Sequence, residues 1–308
     1  MRFLIGIGLK LVSTVLFTGM GALVKWLSDS VPLGQIVFSR NFFALLPILA
    51  VLVWQSAVSN GLKTDRFSGH VLRAAIGCAA MFLSFAALRR LTFADATAIS
   101  FAAPIFSVVF AAMLLGEVVR VFRWSAVAIG FLGVVIMLWP HLSIGGSEKM
   151  ENSDTLGAIL ALASAVLAGL SVIQVRRLTQ TETTSAIVFY FSAMAAVIGL
   201  STLPWGWIMP NSEQALGLIG IGALGGAAQM ILTHSYRFAP ASILAPFHYL
   251  SMLWSIAAGY LFFEESPTLS ILAGAAVVIG AGVFVIFREA WIGLDRTAQK
   301  RVRTPYGG

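Results

Sequence analysis

Ten apolar runs follow one another along the 308-residue chain, separated by short polar breaks. A helix needs about 20 apolar residues to cross the hydrocarbon core of a bilayer. Only 11% of the residues are charged and the mean hydropathy is +0.90, whereas a soluble domain carries about 25% charged residues. The sequence therefore predicts an all-α polytopic membrane protein with ten transmembrane helices. The predicted helices cover residues 3–27, 33–54, 69–88, 93–115, 122–139, 156–176, 185–208, 214–236, 241–263 and 269–288.

Basic residues divide unevenly between the two sides of this predicted bundle. With the N-terminus in the cytoplasm, fourteen Lys and Arg residues, Arg73 among them, fall on the cytoplasmic side and four on the other. Cytoplasmic loops of membrane proteins carry an excess of basic residues. The bias predicts cytoplasmic N- and C-termini, and it explains the net charge of +7 by topology rather than by nucleic-acid binding. Cys78 is the only cysteine of the chain, which excludes an internal disulfide.

The two halves of the chain resemble each other. A shift of 151 residues places Lys25 on Arg176, and LLGE at residues 114–117 answers FFEE at residues 262–265. Each half has five predicted helices, an odd number, so the second half enters the membrane from the opposite side. Such inverted repeats place a substrate site between the halves. The predicted units are residues 1–143, an extracytoplasmic linker at 144–155, residues 156–288, and a basic cytoplasmic tail at 289–308.

Residues 85–117, FAALRRLTFADATAISFAAPIFSVVFAAMLLGE, resemble the fourth-helix region of the EamA-type drug/metabolite transporter superfamily. The shared pattern is a small-Leu pair, a short polar break, a small-residue helix with one proline, and Gly-Glu. The resemblance implies two five-helix EamA-like repeats and a secondary transporter that does not hydrolyse nucleotides. It also implies a central site lined by the first, third, fourth, sixth, eighth and ninth helices.

The segments GIGLKLVS and PLGQIVFSRNFFALLP resemble the bacterial riboflavin importers of that superfamily. Riboflavin uptake across a bacterial inner membrane by alternating access is therefore the expected function. Efflux of amino acids or related metabolites is the alternative within the same class. A non-transporting membrane subunit that assembles partners is the alternative from another class.

Two cations lie inside predicted helices. Arg40 is about seven residues into the second helix, roughly 10 Å below the surface, where a charge must pair, reach the headgroups or face water. Lys10 is about as deep in the first helix. Each side chain either extends to the interface, as long basic side chains do, or lines the transport route. As substrate-binding or gating residues, they would favour a polar or anionic solute.

The ninth predicted helix carries the remaining polar and aromatic candidates. Pro246 removes a helical hydrogen bond, and His248, Ser251 and Trp254 recur three residues apart on approximately one face. A planar, partly polar solute would bind to such a face, although aromatic packing between helices is the simpler explanation. The opposite wall would come from four residues of the third and fourth helices, Phe82, Phe85, Phe101 and Pro104.

No acidic residue lies well inside a predicted helix, so His234 and His248 are the candidates for carrying a proton. Uniport or exchange is at least as compatible with the sequence.

The glycines at 130, 133, 222, 226, 280 and 282 are expected to allow close helix approach. No nucleotide-binding, metal-binding or catalytic motif is present, so we expect no enzyme, no cofactor and no metal. The expected partners are a small solute and the lipid bilayer, with a homodimer left open.

Overall fold

The computed structural model describes residues 2–54, 62–116, 121–139, 152–235, 238, 247, 249–281, 283–284 and 287. These residues form α-helices and one short 3-10 turn at Leu203–Trp205, and no strand occurs among them. The helices are α1 (Arg2–Leu27), α2 (Leu33–Trp54), α3 (Phe67–Leu88), α4 (Phe93–Ser100), α5 (Ala102–Leu115), α6 (Val121–Leu138), α7 (Asn152–Leu178), α8 (Thr184–Ser201), α9 (Ser212–Ser235), α10 (Ser251–Phe263) and α11 (Leu269–Ala281).

Six segments are long and apolar enough to cross a membrane, and four further apolar helices are shorter. The long segments are Leu4–Leu27, Leu33–Ala50, Phe67–Leu88, Phe93–Leu115, Asp154–Leu178 and Ser212–Leu232. The shorter ones are Val127–Leu138, Ser185–Ser201, Ser251–Phe263 and Leu269–Ala281. Many large apolar side chains lie exposed on these helices, as a lipid-facing surface requires. The all-helical membrane architecture is confirmed, while the count of ten crossings and the inverted repeat stay predictions.

The predicted fourth helix is interrupted at Phe101. Its two parts, α4 and α5, meet there because Pro104 has no N–H to donate and its ring clashes with the carbonyl of Ser100, four residues earlier. The hydroxyl of Thr97 on α4 lies 2.9 Å from that of Ser255 on α10. The interruption therefore lies in a part of the bundle where helices of the two predicted repeats meet.

Helices of the two predicted repeats pack mainly on each other. The most extensive packing places α1 against α9, α2 against α8 and α9, and both α3 and α5 against α7. One core cluster includes Val24 and Phe101 from the first half together with Ile221 and Ile271 from the second. The halves therefore share a core rather than each burying its own.

Glycines allow several of these close approaches. A Cβ on Gly222 would lie 2.9 Å from the carbonyl oxygen of Ser39, and one on Gly133 would lie 2.8 Å from that of Gly274. Gly130 and Gly226 are similarly crowded, so the expectation of close packing is confirmed for these four positions. It is wrong for Gly280, where an added Cβ meets nothing within 4 Å among the described residues. Gly282 lies outside the described residues.

The ends of α5 and α10 share an unusual backbone geometry. Gly116 after α5 and Glu264 after α10 both adopt left-handed conformations, with φ of 63° and 55°. This conformation causes steric strain in a residue that has a Cβ, whereas glycine adopts it without strain. The two positions are the ones that the sequence comparison of LLGE with FFEE aligned, so their helices end in the same way.

We expect Gly133→Ala to destabilise the protein by about 1–3 kcal/mol, because the new methyl group meets backbone atoms of α11 that cannot rotate away. Thermal unfolding of the purified protein in detergent measures the effect. Gly280→Ala is the matched control: it adds the same methyl group to a helix with open space, and should be neutral or stabilising by up to about 1 kcal/mol. Equal effects at the two positions would contradict the close approach of α6 and α11.

Candidate functional site

Arg40 lies on α2, and one N–H group of its guanidinium has no hydrogen-bond partner among the described residues. Its Nη1 donates a 2.8 Å hydrogen bond to Oδ1 of Asn41. The Nδ2 of Asn41 donates to the carbonyl of Val37 and to the sulfur of Met81 on α3. The Nε atom is fully buried and has no hydrogen-bond partner among the described residues. It lies 3.5 Å from the point that a Cβ on Gly225 of α9 would occupy. The side chain is thus held between α2 and α9, with one donor unused.

Arg73, on α3, is a second half-buried arginine. Its Cζ lies 4.1 Å from the ring centroid of Phe191 on α8, close enough for a cation–π contact. Its Nε and Nη1 atoms are buried and without a partner in the part of the chain that the structure describes. The side chain runs along α3 over Gly77, where an added Cβ would collide with Nη1. We counted Arg73 among the cytoplasmic charges; that assignment stays a prediction, and the structure adds that the side chain is half-buried against α8.

The two arginines approach each other from opposite ends of the bundle. Arg40 is seven residues from the start of α2, and Arg73 is six residues from the start of α3, which runs the other way. At 1.5 Å per residue each lies roughly 10 Å from its end. The amide of Asn41, whose oxygen accepts from Arg40, lies 3.5 Å from the sulfur of Met81 on α3, and Met81 is one helical turn from Gly77, over which Nη1 of Arg73 lies. We call this pair the two-arginine site.

The aromatic wall predicted from the sequence is only partly assembled. Phe85 and Phe101 are buried in the core, and Phe82 is half-buried against it. The ring of Phe101 meets that of Tyr249 edge-on at 5.3 Å. These contacts are those of packed aromatic rings, and the binding role of the three phenylalanines stays a prediction.

Trp254 joins α10 to α1. Its Nε1 lies 3.3 Å from the hydroxyl of the buried Thr14, and 37% of the residue remains exposed. Ser251 begins α10 and is half-buried, whereas Pro104 and His234 are exposed. The ring of His234 lies 5.3 Å from that of Phe238.

Of the three remaining predicted site positions, Lys10 is the one that lies among the described residues. The side chain of Lys10 is buried on α1, and its backbone carbonyl accepts a 2.7 Å hydrogen bond from Ser13. Pro246 and His248 lie outside the described residues. The stripe through His248, Ser251 and Trp254 therefore stays a prediction.

One end of the bundle is tied by a cluster around Lys25. Its Nζ lies 2.7 Å from Oε1 of Glu265 and donates to the carbonyl of Leu91, while Oε2 of Glu265 accepts a 2.7 Å bond from the N–H of Phe93. Lys25 and Glu265 are mostly buried, at 14% and 17% side-chain exposure. This Lys25 cluster joins α1 and the start of α4 to the α10–α11 connection, and so ties the two predicted repeats together.

The opposite end is tied by a cluster around Glu182, in the turn between α7 and α8. Its Oε1 accepts 3.0 Å hydrogen bonds from the N–H groups of Asp65 and Arg66, and its Oε2 lies 3.5 Å from Nε2 of His70. The Tyr190 hydroxyl donates to the carbonyl of Leu62 in the same region. This Glu182 cluster joins the N-terminal end of α3 to the second predicted repeat.

The surroundings of the Glu182 carboxyl favour its ionised form. Burial opposes its ionisation, but the hydrogen bonds from the Asp65 and Arg66 backbone and from the Thr64 side chain, with the nearby His70 imidazole, outweigh burial and lower the pKa of Glu182. The carboxylate is therefore ionised at neutral pH, as acceptance of two N–H bonds requires.

Comparison with known proteins identifies the family. The sequence matches the EamA-like transporter family over residues 4–139 and again over residues 155–288. The chain belongs to the EamA-like transporter family. EamA-like relatives include the S-adenosylmethionine uptake transporter of Rickettsia prowazekii, which is 30% identical over 93% of this chain and 94% of the relative. The pseudopaline exporter CntI of Pseudomonas aeruginosa is 27% identical over 90% of this chain and 94% of the relative.

A solved crystal structure has the same fold. It superposes with a TM-score of 0.63, covering 91% of this chain and 95% of that one, at 18% sequence identity. The predicted EamA-type resemblance is thus confirmed, together with a transporter class for the protein. The relatives named above transport other solutes, and riboflavin stays a prediction.

Sequence analysis identified only one of the two residues of the two-arginine site. Arg40 was recognised because no other charge surrounds it, whereas Arg73 lies four residues inside its predicted helix and was assigned to the cytoplasmic loop. The available signal was Gly77, one helical turn further on, which leaves room for a long side chain to fold along the helix. The pairing of Lys25 with Glu265 carried no signal in the local sequence, because 240 residues separate the partners.

We expect Glu265→Gln to open the Lys25 end, because Lys25 then loses its carboxylate partner in a mostly buried setting. The buried thiol of Cys78, the only one in the chain, reports the opening through its rate of reaction with maleimide, which should rise about tenfold. Asp29→Asn is the control. It removes the carboxylate that lies 3.4 Å from Arg89 at 81% exposure, and should change the rate by less than about twofold. Equal rates for both variants would show that the Lys25 cluster does not hold the bundle closed.

We expect Glu182→Gln to lower the free energy of unfolding by about 1–2 kcal/mol at neutral pH, because charge-assisted hydrogen bonds are lost. The lowered pKa of Glu182 means that its contribution is present at neutral pH and is lost as the pH falls through that pKa. The difference between variant and parent should therefore shrink on acidification. Thermal unfolding at a series of pH values measures it, with Glu213→Gln in the exposed first turn of α9 as control. A difference independent of pH would exclude the ionised carboxylate as its source.

Proposed function

We propose that this protein is a secondary transporter of a bacterial inner membrane that works by alternating access. Its two predicted five-helix repeats, residues 1–143 and 156–288, would move against each other around a central site. The double match to the family, over residues 4–139 and 155–288, supports two units of similar length. The matching left-handed helix ends at Gly116 and Glu264 support it further.

The two clusters at the ends of the bundle fit this mechanism. Each consists of hydrogen bonds and ion pairs between the predicted repeats, with no covalent link, so it can break and re-form. Breaking one cluster while the other holds would open the site to one side only. With the predicted cytoplasmic N-terminus, the Lys25 cluster would face outward and the Glu182 cluster would face the cytoplasm.

The observation that carries the proposal is the pair of half-buried arginines with buried, unpaired donor atoms. A charged side chain at membrane depth costs about 2.5–3.5 kcal/mol on insertion scales, and a scaffold would pair or replace it. Two such side chains, on neighbouring helices, fit a protein that binds a polar solute. A non-transporting assembly subunit gives no reason for them.

For the solute we propose an amino-acid-derived metabolite that carries a carboxylate group, with S-adenosylmethionine as the first to be tested. The relative from Rickettsia prowazekii takes up S-adenosylmethionine, and it aligns with this chain over nearly its whole length. A purine would need a flat apolar surface, which the partly exposed indole of Trp254, fixed by its contact with Thr14, can provide. Riboflavin, also planar, is the second solute. Export is the alternative direction, as in the pseudopaline exporter.

We expect the purified protein in liposomes to take up labelled S-adenosylmethionine saturably, and an excess of unlabelled compound to abolish the signal. Liposomes without protein give the background, and labelled riboflavin is measured in parallel. Counterflow from liposomes preloaded with the same solute separates exchange from uniport, and a pH gradient tests coupling to protons. Transport of riboflavin alone would establish the sequence prediction instead. Folded protein that moves neither solute would reject both.

A further inference from the structure

We propose that Arg40 and Arg73 together bind the carboxylate group of the transported solute, as a two-arginine clamp. The inference rests on the proposed function for its solute, but the anion site itself can be tested without transport. It adds Arg73, a residue that no sequence motif indicates, and assigns a chemistry to the pair.

The unused donors give the first step. Three buried N–H-bearing atoms, Nε of Arg40 with Nε and Nη1 of Arg73, have no hydrogen-bond partner among the described residues. Buried polar groups in proteins are almost always paired, and an unpaired donor on a charged group is especially unfavourable. Asn41 beside Arg40 contacts Met81 of α3, and Gly77 beside Nη1 of Arg73 is one turn away on the same helix, so the two sets of donors lie in the same region between α2 and α3.

The sign of the charge gives the second step. The two guanidinium groups carry like charges on helices that pack against each other, and like charges that are partly buried repel more strongly than they would in water. No acidic residue forms a salt bridge with either one among the described residues; the salt bridges seen there involve Lys25, His70 and Arg89. An incoming anion would relieve this repulsion and supply acceptors at the same time.

The third step concerns the neighbours of each arginine. They hold the guanidinium groups in position but do not accept hydrogen bonds from the three unpaired donors. Asn41 accepts from Nη1 of Arg40, and the Phe191 ring lies against the guanidinium of Arg73. Gly77 and Gly225 lack the side chains that would fill the space beside Nη1 of Arg73 and Nε of Arg40. The guanidinium groups are thus oriented in advance, which lowers the entropic cost of binding.

The shape of the donor set favours a carboxylate. A guanidinium presents parallel N–H groups that match two oxygens on one carbon, a geometry that the compact ammonium group of lysine cannot offer. A phosphate group shares the charge and the oxygen spacing, so the test includes it. Two cations stabilise a bound solute less when that solute carries a net positive charge. S-adenosylmethionine has a positively charged sulfonium that S-adenosylhomocysteine lacks. We therefore expect S-adenosylhomocysteine to bind more tightly.

Simple anions test the clamp directly. The melting temperature of the purified protein is measured with increasing succinate, acetate or inorganic phosphate, at constant ionic strength set with chloride. We expect succinate to raise the melting temperature of the parent protein and to leave that of Arg73→Gln and Arg40→Gln unchanged. A larger response to phosphate than to succinate would move the ligand class from carboxylates to phosphates. Identical responses in parent and variants would overturn the clamp.

The variants also separate binding from a structural role. Without added anion, Arg73→Gln should melt at the same or a higher temperature than the parent, because one of two repelling charges is gone. A structural arginine would give the opposite result, a lower melting temperature. Arg73→Lys keeps the charge but loses the paired donors, so it should retain only part of the response to succinate. Arg89→Gln, at the surface, is the control and should respond as the parent does.

Solutes that differ in one group connect the clamp to transport. We expect Arg73→Gln to weaken binding of S-adenosylhomocysteine by about 10- to 100-fold, the range for a charge-assisted hydrogen bond. Binding of 5′-methylthioadenosine, which has the adenosine and thioether but no carboxylate, should change by less than about threefold. Equal losses for both compounds would overturn the assignment. If the parent binds neither compound but still responds to succinate through the arginines, the proposed solute fails and the clamp stands.

Discussion

The cost of placing charge in hydrocarbon governs this protein. A bilayer offers no water to a buried ion or to an unpaired backbone group, so the chain forms helices and keeps most of its charges at their ends. There the charges connect segments that are distant in sequence, as Lys25 does with Glu265 and Glu182 does with the backbone at Asp65 and Arg66. Arg40 and Arg73 are the exceptions. Their side chains point between the helices, where each keeps at least one buried donor without a hydrogen-bond partner among the described residues.

The apolar packing explains how such exceptions can persist. Because α2 packs on α8 and α9, and α3 on α7 and α8, each arginine is enclosed by helices of the other half. Glycines at 222 and 226 bring α9 close to α2, and a further one at 225 faces Arg40. The same small residues that strengthen helix packing therefore create the space beside the charge. Stability and a polar interior have a common origin in this arrangement.

The sequence predicts those features that repeat along the chain and misses those that depend on side-chain direction. Apolar periodicity located the helices, and the spacing of similar segments indicated two related halves. Periodicity could not show that Arg73 folds inward over Gly77, since the same position near a helix end also suits a side chain that reaches the cytoplasm. The fourth helix was predicted as continuous over 93–115, and its interruption at Phe101, which Pro104 explains, was found only in the structure. Glu182 lies in an ordinary polar turn, and only the fold brings it to His70.

The interleaved packing of the two halves has a consequence for how the protein is made. A ribosome adds about 5–20 residues per second, so the second half follows the first after roughly 10–30 s. During that interval α1, α2 and α3 are in the membrane without α7, α8 and α9, the helices that bury them. Arg40 and Arg73 then face lipid or the insertion machinery, with their charges uncovered. The nascent first half therefore exposes charge and helix surfaces that only the second half covers, and a chain that stops before α7 leaves them exposed permanently.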